Sequence, residues 1–581
     1  MTNNPHLVPT SRPSDLSSFT LLMDGEPVSA TFQVVSLTVT RQANHIPNAR
    51  VVLLDGDLAS GDFPAAGGDV FTPGKEIEIK IGYHGDESTL FKGLVLRQSL
   101  KARASRPSTL SLECRDIATK LTLARRSAFY YQTSDSEIAG EILQDAGLES
   151  DLEDTAVVHT EMVRYRCTDW DFMLMRLDAA GLLVLVEDGL VRAVRPALDK
   201  EPALVVTYGS TMIEFEAFME ARGQVDEVTA KAWNPADQAL IEAEADVPAG
   251  SQSEPDTAAL AALFPSELLT HAGRRPDEEL QAWADARKQK SLFSRIRGRV
   301  KCQGFDIKPG QILELQGVSE RYNGKVYVVG VCQQVNNGHW TSDIQFGLSP
   351  QWFAQEHACE APAAAGLVAG IRGLEVGVVR QLEEDPEGEA RILVNLPTLD
   401  PEAEGIWCRI ARLDAGSARG SFFLPEVNDE VVVGFLNGDP RDGIVLGMLH
   451  SSNKTAPIEA SKDNHEKGFV TRSGLRLWFH DETKTITVDT PGGNAFQIGE
   501  KDDKHSISLK DNNGNELVMD QDGIALTSAG DMKLEAAGDL LLSAKNIEVK
   551  ASSELAAKGD SSMTLESGGS AVLKGATVAI N

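Results

Sequence analysis

The feature that most constrains this chain is a repeat near its C-terminal end. Apolar-x-apolar pairs recur there as Ile524 with Leu526, Met532 with Leu534, Leu540 with Leu542, Ile547 with Val549, Leu555 with Ala557, Met563 with Leu565, Ala571 with Leu573 and Val578 with Ile580. Successive pairs start seven or eight residues apart. Side chains two positions apart share one face of an extended strand, and Gly530 and Gly538 fall at one phase of the repeat, where turns belong. Two inward residues in eight are too few to fill a coil built from one chain, and one strip cannot bury its own apolar edge. Three copies wound about a shared axis would bury the pairs against one another. The pattern therefore predicts an intertwined trimeric β-helix, a β-prism, over residues 516–581, with a flat or single-chain β-solenoid as the alternative. The predicted trimer core is Ile524, Leu526, Met532, Leu534, Leu540, Leu542, Ile547, Val549, Leu555, Met563, Leu565, Leu573, Val578 and Ile580.

Composition sharpens this boundary. Past Pro491 there is no proline, past Arg476 no arginine, and past Phe496 no Phe, Trp or Tyr. A catalytic or sugar-binding solenoid face needs clustered acids or aromatics, so a polysaccharide-degrading β-solenoid enzyme is the weaker reading. The 581 residues as a whole suggest about four domains. Lys+Arg number 55 against 86 Asp+Glu, a net charge of −31, which gives a polyanion no foothold and argues against a nucleic-acid partner. No apolar run is long enough for a signal peptide or a membrane span, so synthesis in the cytoplasm is expected. Cys114, Cys167, Cys302, Cys332, Cys359 and Cys408 contain no C-x-x-C pair and read as buried, reduced thiols.

Upstream of the repeat, residues 366–451 read as a barrel of five or six short strands: 374–382, 390–396, 405–411, 421–424, 429–436 and 443–449. This segment has no Lys and seven Arg against fifteen Asp+Glu, so a single-strand-binding groove fails on charge. The N-terminal part alternates as half-buried strands do at 34–40, 50–54, 76–83, 90–99 and 108–115. One helix opens at Ser134 and Glu137 in capping-box spacing, carries Ile138, Ile142 and Leu143, and stops at Gly147. A second opens at Thr168 with Asp171, carries Phe172, Met175 and Leu177, and stops at Gly181. A hairpin over 182–194 turns at Asp188 and Gly189. Residues 234–267 look like an exposed insertion, and a helix spans 276–289.

The stretch Thr168-Asp-Trp-Asp-Phe-Met-Leu-Met-Arg-Leu-Asp-Ala-Ala-Gly181 resembles a helix of contractile-phage hub proteins and of VgrG spikes of type VI secretion. Gly420-Ser-Phe-Phe-Leu-Pro-Glu-Val-Asn-Asp-Glu-Val-Val-Val-Gly-Phe-Leu-Asn-Gly-Asp-Pro440 is similar to the VgrG barrel signature, and Gly443-Ile-Val-Leu-Gly-Met-Leu-His450 fits its last strand. Lys308-Pro-Gly310, Asn323-Gly-Lys-Val-Tyr-Val-Val-Gly330 and Asp511-Asn-Asn-Gly-Asn515 match as well. Ser60-Gly-Asp-Phe-Pro64 and Phe71-Thr-Pro-Gly-Lys-Glu-Ile-Glu-Ile79 look more like spikes of free, extracellular contractile injection particles.

The resemblance covers nearly the whole chain. It implies a mainly β fold with an α+β hub: phage-hub-like barrel domains over 1–360, an OB-fold collar over 361–455, a neck leading into the prism over 456–515, and the octad-repeat spike over 516–581. It implies a homotrimer that caps an inner tube, organises a baseplate and pierces a target envelope. The implied partners are inner tube and baseplate proteins at the hub, effector cargo, and a PAAR-type tip seated on Val578, Ile580 and Asn581, with a target membrane met only during puncture. The particle would be released or fired from the cell. Residues 451–470 are too short for the lysozyme that some family spikes carry, and no effector segment is expected beyond the last repeat.

No phosphate loop, nucleophile elbow or H-E-x-x-H helix is present, and no catalysis, cofactor or metal is expected. His465-Glu-Lys-Gly-Phe469 places Phe469 where a second His ligand would stand, and His480 and His505 read as surface residues. Asp169 and Asp171 read as capping groups rather than an acid–base pair, and residues 383–387 as a solvated loop. Trp407, Phe422 and Phe423 are expected in the barrel core rather than on a glycan platform; a glycan-binding adhesin is the remaining rival.

Overall fold

Period-two alternation builds the N-terminal sheet: in Val34–Gln42, Leu37, Val39 and Arg41 are buried while their neighbours reach outward. The computed structural model describes residues 17–57, 61–103, 106–247, 266–500 and 505–580, and is mainly β. The chain divides into two units.

The first unit holds residues 1–374 and 434–444. Its 13-stranded sheet has Met212–Met219 at one end. Ile296–Gln303, His339–Phe346 and Gly324–Asn336 follow, and Gly324–Asn336 pairs antiparallel with Val34–Gln42. The order continues through Asn48–Leu54, Thr109–Arg115, Asp86–Lys101, Glu76–Tyr83 and Ser17–Met23. Each half has its own core, around Leu37, Val51, Ile79 and Phe91 in one and Val300, Leu313, Val328 and Ile344 in the other.

Beside the sheet, the helices Asp135–Asp145 and Asp169–Ala179 form where the caps require. Ser134 and Glu137 make the reciprocal box, and Thr168 Oγ1 accepts from the Asp171 amide at 3.0 Å. Ile138, Ile142, Leu143, Phe172 and Leu177 are buried together. The hairpin Leu183–Glu187 with Leu190–Val194 turns through Asp188 and Gly189, both at positive φ.

Two sequence expectations are corrected here. The helix expected over 276–289 is Asp277–Ser294, and the polar residues of its added turn are satisfied from afar. Lys290 pairs with Asp178 at 2.6 Å, and Ser291 Oγ accepts from the Val225 amide at 3.0 Å. The expected insertion over 234–267 is partly sheet: Val228–Asn234 pairs antiparallel with Ala239–Glu244 and parallel with Glu267–His271. Its small side chains, Ala230 and Ala232, pack closely on Leu280 and Ala284 of the long helix. The expected loop over 248–265 lies outside the described residues.

A buried polar cluster shows how tightly the sheet is fitted. Trp340 Nε1 and Ser342 Oγ donate to Gln333 Oε1 at 2.8 and 2.6 Å, and Gln333 Nε2 donates to the Phe305 carbonyl at 2.8 Å. A Cβ on Gly304 would stand 2.1 Å from the Trp340 ring, which cannot retreat without breaking that network. Gly304→Ala should destabilise this unit by about 1–3 kcal/mol, read as a lowered unfolding midpoint in urea; an unchanged midpoint would refute the fit.

The second unit holds residues 375–433 and 445–581. Five strands close a barrel in the order Glu375–Gln381, Ile392–Asn395, Ile406–Ile410, Gly443–Met448, Glu430–Phe435. Val379, Ile392, Val394, Cys408, Val431, Val433 and Val445 fill it. The expected strand over 421–424 is absent: Arg419–Gly420 pairs with Ala415–Gly416 in a small hairpin, and Pro425 ends any further pairing. Phe422 and Phe423 are therefore 76% and 54% exposed, which overturns their placement in the core. Trp407 is half-buried.

Candidate assembly face

Below the barrel, strands of five residues each form an antiparallel meander of seven. They are Glu466–Val470, Arg476–His480, Thr485–Asp489, Ala495–Gly499, Ser506–Lys510, Glu516–Asp520 and Gly523–Thr527. The register lines up one row as Phe479, Ile486, Ile498, Ile507, Met519 and Ile524. A second row runs Phe469, Leu477, Val488, Phe496, Leu509, Leu517 and Leu526. Members of the two rows stand two positions apart on each strand, so both rows share one face. Between them, pointing the other way, stand Thr487, Gln497 and Ser508.

This face is apolar along almost its whole length, yet no described residue of the chain forms a layer over it. Most of its members are exposed, from 36% at Phe479 to 74% at Ile524, and Leu477 and Leu517 are half-buried. Sheets are stable when such a face packs on a second layer, and here the second layer is missing. Phe423 of the barrel stacks on Phe469 with ring centroids 5.4 Å apart, adding an aromatic to the upper end of the second row. Phe422 lies beside it under the Arg412 guanidinium, 4.8 Å from the ring centre.

Ile524 and Leu526, the first pair of the octad series, are also the last members of the two sheet rows. From residue 528 to 580 the chain forms no strand of its own, and the remaining pairs stay open: Met532 48%, Leu534 67%, Leu540 61%, Leu542 66%, Ile547 58%, Val549 64%, Leu555 67%, Met563 54%, Leu565 83% and Leu573 76%. The chain thus builds no single-chain solenoid core from these residues. Val578 and Ile580, assigned to the tip, are 49% and 89% exposed; Asn581 lies outside the described residues.

The sequence reading missed the upstream part of both rows, from Phe469 to Met519. The signal was present as the same apolar pairs at 477/479, 486/488, 496/498, 507/509 and 517/519, stepped by nine, ten, eleven and ten residues. Longer turns blur the period there. One of those turns joins sheet to tail: Asp511 accepts from the Asn513 and Asn515 amides, both at 2.9 Å, and from the Asn515 side chain at 2.7 Å. These bonds, from Asn515 first, hold the Asp511 carboxyl down at about 2. Asn515 Oδ1 in turn accepts from the Ala529 amide at 3.0 Å.

The groups weighed for chemistry are dispersed. His465 stacks on His480 at 6.0 Å, and Phe469 lies on a strand rather than a metal-binding helix. Asp169 is paired with Arg164. Asp385, inside the acidic loop, is gripped by Arg391 at 2.6 Å, and that guanidinium holds its carboxyl far below the usual range. Among the described residues no three His, Cys, Asp or Glu side chains cluster to hold a metal.

The family described as Alg8 N-terminal domain matches residues 13–337, and the type VI secretion system/phage-baseplate injector OB domain matches residues 375–450. The type VI secretion system spike protein VgrG1c of Pseudomonas aeruginosa is 23% identical, over 69% of this chain and 58% of that protein. VgrG3 of Vibrio cholerae, also a type VI secretion system spike protein, is 37% identical over 12% of this chain and 8% of that one. The chain thus spans less than three fifths of the length of these relatives. Among solved structures, an E. coli type VI secretion component, described as structurally similar to T4 bacteriophage tail proteins gp27 and gp5, is 12% identical. Its TM-score is 0.39, over 74% of this chain and 99% of that one.

Proposed function

We propose, from the premise that the chain belongs to the family of the Alg8 N-terminal domain and is a VgrG-type spike protein, that three copies close their apolar faces around one axis as the central spike and hub of a contractile injection machine. The observation that carries this reading is the uncovered double row from Phe469 to Leu526, continued by the octad pairs to Ile580. A face two residues wide measures roughly 7 Å along the strand. Three such faces enclose a triangular core that the paired side chains can fill. Two copies would instead make a sandwich with both long flanks open to water.

In this reading the prism is a structural element and no reaction is catalysed. Backbone groups of residues 528–580 that find no partner within the chain bond between copies. A fully paired, three-chain shaft transmits axial force without fraying, because no one chain can peel away alone. A PAAR-type tip would seat on Val578, Ile580 and Asn581, inner tube and baseplate proteins would meet the hub, and effector cargo would travel with it. The chain would be made in the cytoplasm and built into a phage tail-like particle.

Light scattering on the full chain and on a version ending at Ala529 tests the shared core. A trimer whose unfolding temperature drops on truncation is expected, since the deleted stretch carries seven of the eight octad pairs. A stable monomer at micromolar concentration would refute the reading.

A further inference from the structure

The first unit contains a cavity of about 430 Å³ on the outer face of its sheet, beside the open edge of Met212–Met219. Glu216 and Phe218 of that edge strand line it, with Arg297 and Arg299 of the neighbouring strand. His45 and His357 line it as well, their ring centres 5.7 Å apart.

Most of the charges lining it are already matched. Lys290 is held by Asp178 at 2.6 Å, and Arg299 by Glu216 and Glu214 at 3.1 and 3.2 Å. Glu356 accepts from Ser349 Oγ at 2.5 Å. Arg297 alone of these cations has no carboxylate partner among the described residues. Its guanidinium is held in place over the ring of its cross-strand neighbour Phe218, 5.6 Å from the centre. Gly347 brings backbone close beside its stem, for a Cβ there would fall 2.9 Å from Arg297 Cγ. His45 and His357 donate from Nδ1 to the Ala43 and Phe353 carbonyls at 3.0 and 3.2 Å.

A positioned, unmatched guanidinium stacked on an aromatic ring suits a carboxylate. The strand beside it has one edge unpaired among the described residues, and Glu214, Glu216 and Phe218 alternate toward the cavity side while Phe215, Ala217 and Met219 face the core. We propose that this edge and cavity together form a binding site for an acidic peptide in extended conformation. Its backbone pairs with Met212–Met219, and one Asp, Glu or terminal carboxylate reaches Arg297. Arg299 is shared between Glu216 and Glu214 and offsets only one of their two charges, so the acid of the ligand is seated at Arg297 and not along the strand. This site is separate from the apolar face of the second unit and stands or falls without the trimer reading.

The probe is a fluorescein-labelled ten-residue peptide of alternating Glu and Val, titrated into the full-length protein by fluorescence anisotropy. Saturable binding is expected, weakened at least about tenfold by replacing Glu with Gln in the peptide or by Arg297→Gln in the protein, the scale of one charge-assisted pair. Arg297→Glu should reverse the preference toward a Lys/Val peptide, a gain that a merely misfolded variant cannot show. Hydrogen exchange should slow across 212–219 on binding. Equal binding of the Glu and Gln peptides, no binding, or an Arg297→Gln protein that binds like wild type would overturn the proposal. So would amides of 212–219 that are already protected without peptide, which would mean that a second copy of the chain occupies the edge.

Discussion

Replacing both members of one octad pair, Leu540→Asp with Leu542→Asp, should abolish the heat-resistant assembly and leave the chain monomeric. In the single chain these residues are 61% and 66% exposed, so a structure without partners would register almost no change. In a shared core each buried leucine contributes about 2 kcal/mol, and the double change removes two from each of three chains, about 12 kcal/mol in all. Six carboxylates would then crowd one level of an apolar shaft, and each ion without a counter-charge costs several kcal/mol more. Ser552→Asp, on a turn of the same tail, should leave both mass and melting unaltered. Light scattering and circular-dichroism melting decide the matter: equal mass and melting temperature for the double variant and the wild type would exclude a common core.

The second large effect is expected in the hub. Asp135 is 4% exposed; Arg176 Nε and Nη2 donate to it at 2.7 and 3.1 Å, and His159 Nε2 approaches at 3.1 Å. Burial opposes ionisation of the Asp135 carboxyl, yet the His159 and Arg176 contacts outweigh it and hold the group below its ordinary value. Asp135→Ala would leave Arg176 with Glu279, 3.5 Å away, as its one carboxylate partner among the described residues, at a cost of about 3–5 kcal/mol. Asp135 also opens its helix, where a carboxylate contributes about 0.3–1 kcal/mol through the helix dipole, so only a loss beyond that belongs to the ion cluster. Because the folded-state carboxyl is depressed, its stabilisation is complete above the unfolded value near 3.9 and is lost as the pH falls below it. The wild type should therefore lose part of its advantage over Asp135→Ala between pH 5 and about 2. Urea unfolding of both proteins across that range checks the sign. Adding Arg176→Met to the variant should restore some stability at pH 7, as removal of the unmatched charge requires.

Features set by neighbours in sequence were legible without a structure. The caps at Ser134 and Thr168 and the turn at Asp188 and Gly189 each need only a few adjacent residues, and each stands where the sequence puts it. Features set by distant residues were not. The helix expected to end at 289 runs on to Ser294, and Lys290 in its added turn is met by Asp178 from another helix. Phe422 and Phe423 read as barrel core, since nothing local reveals that Pro425 leaves them outside the closed strands. The apolar rows were found where turns were short and the period strict, and missed from Phe469 to Met519, where turns of four to six residues change the step while the cross-strand register keeps the rows straight. Arg297 carries no signal at all in sequence, since its lack of a carboxylate partner exists only in three dimensions.

The uncovered rows also govern the order and pace of maturation. The hub and barrel close their cores within one chain, so they fold at a rate indifferent to how much protein the cell holds. The double row has no such route. In the proposed trimer it waits for two further chains, and an encounter of three makes the waiting time fall steeply as the chain accumulates. During that interval the newly made protein displays a greasy strip that any other incomplete copy can engage out of register. Rapid, local, abundant synthesis is then as much a requirement of this design as any single side chain, and a dilute producer would accumulate finished hubs with unfinished shafts.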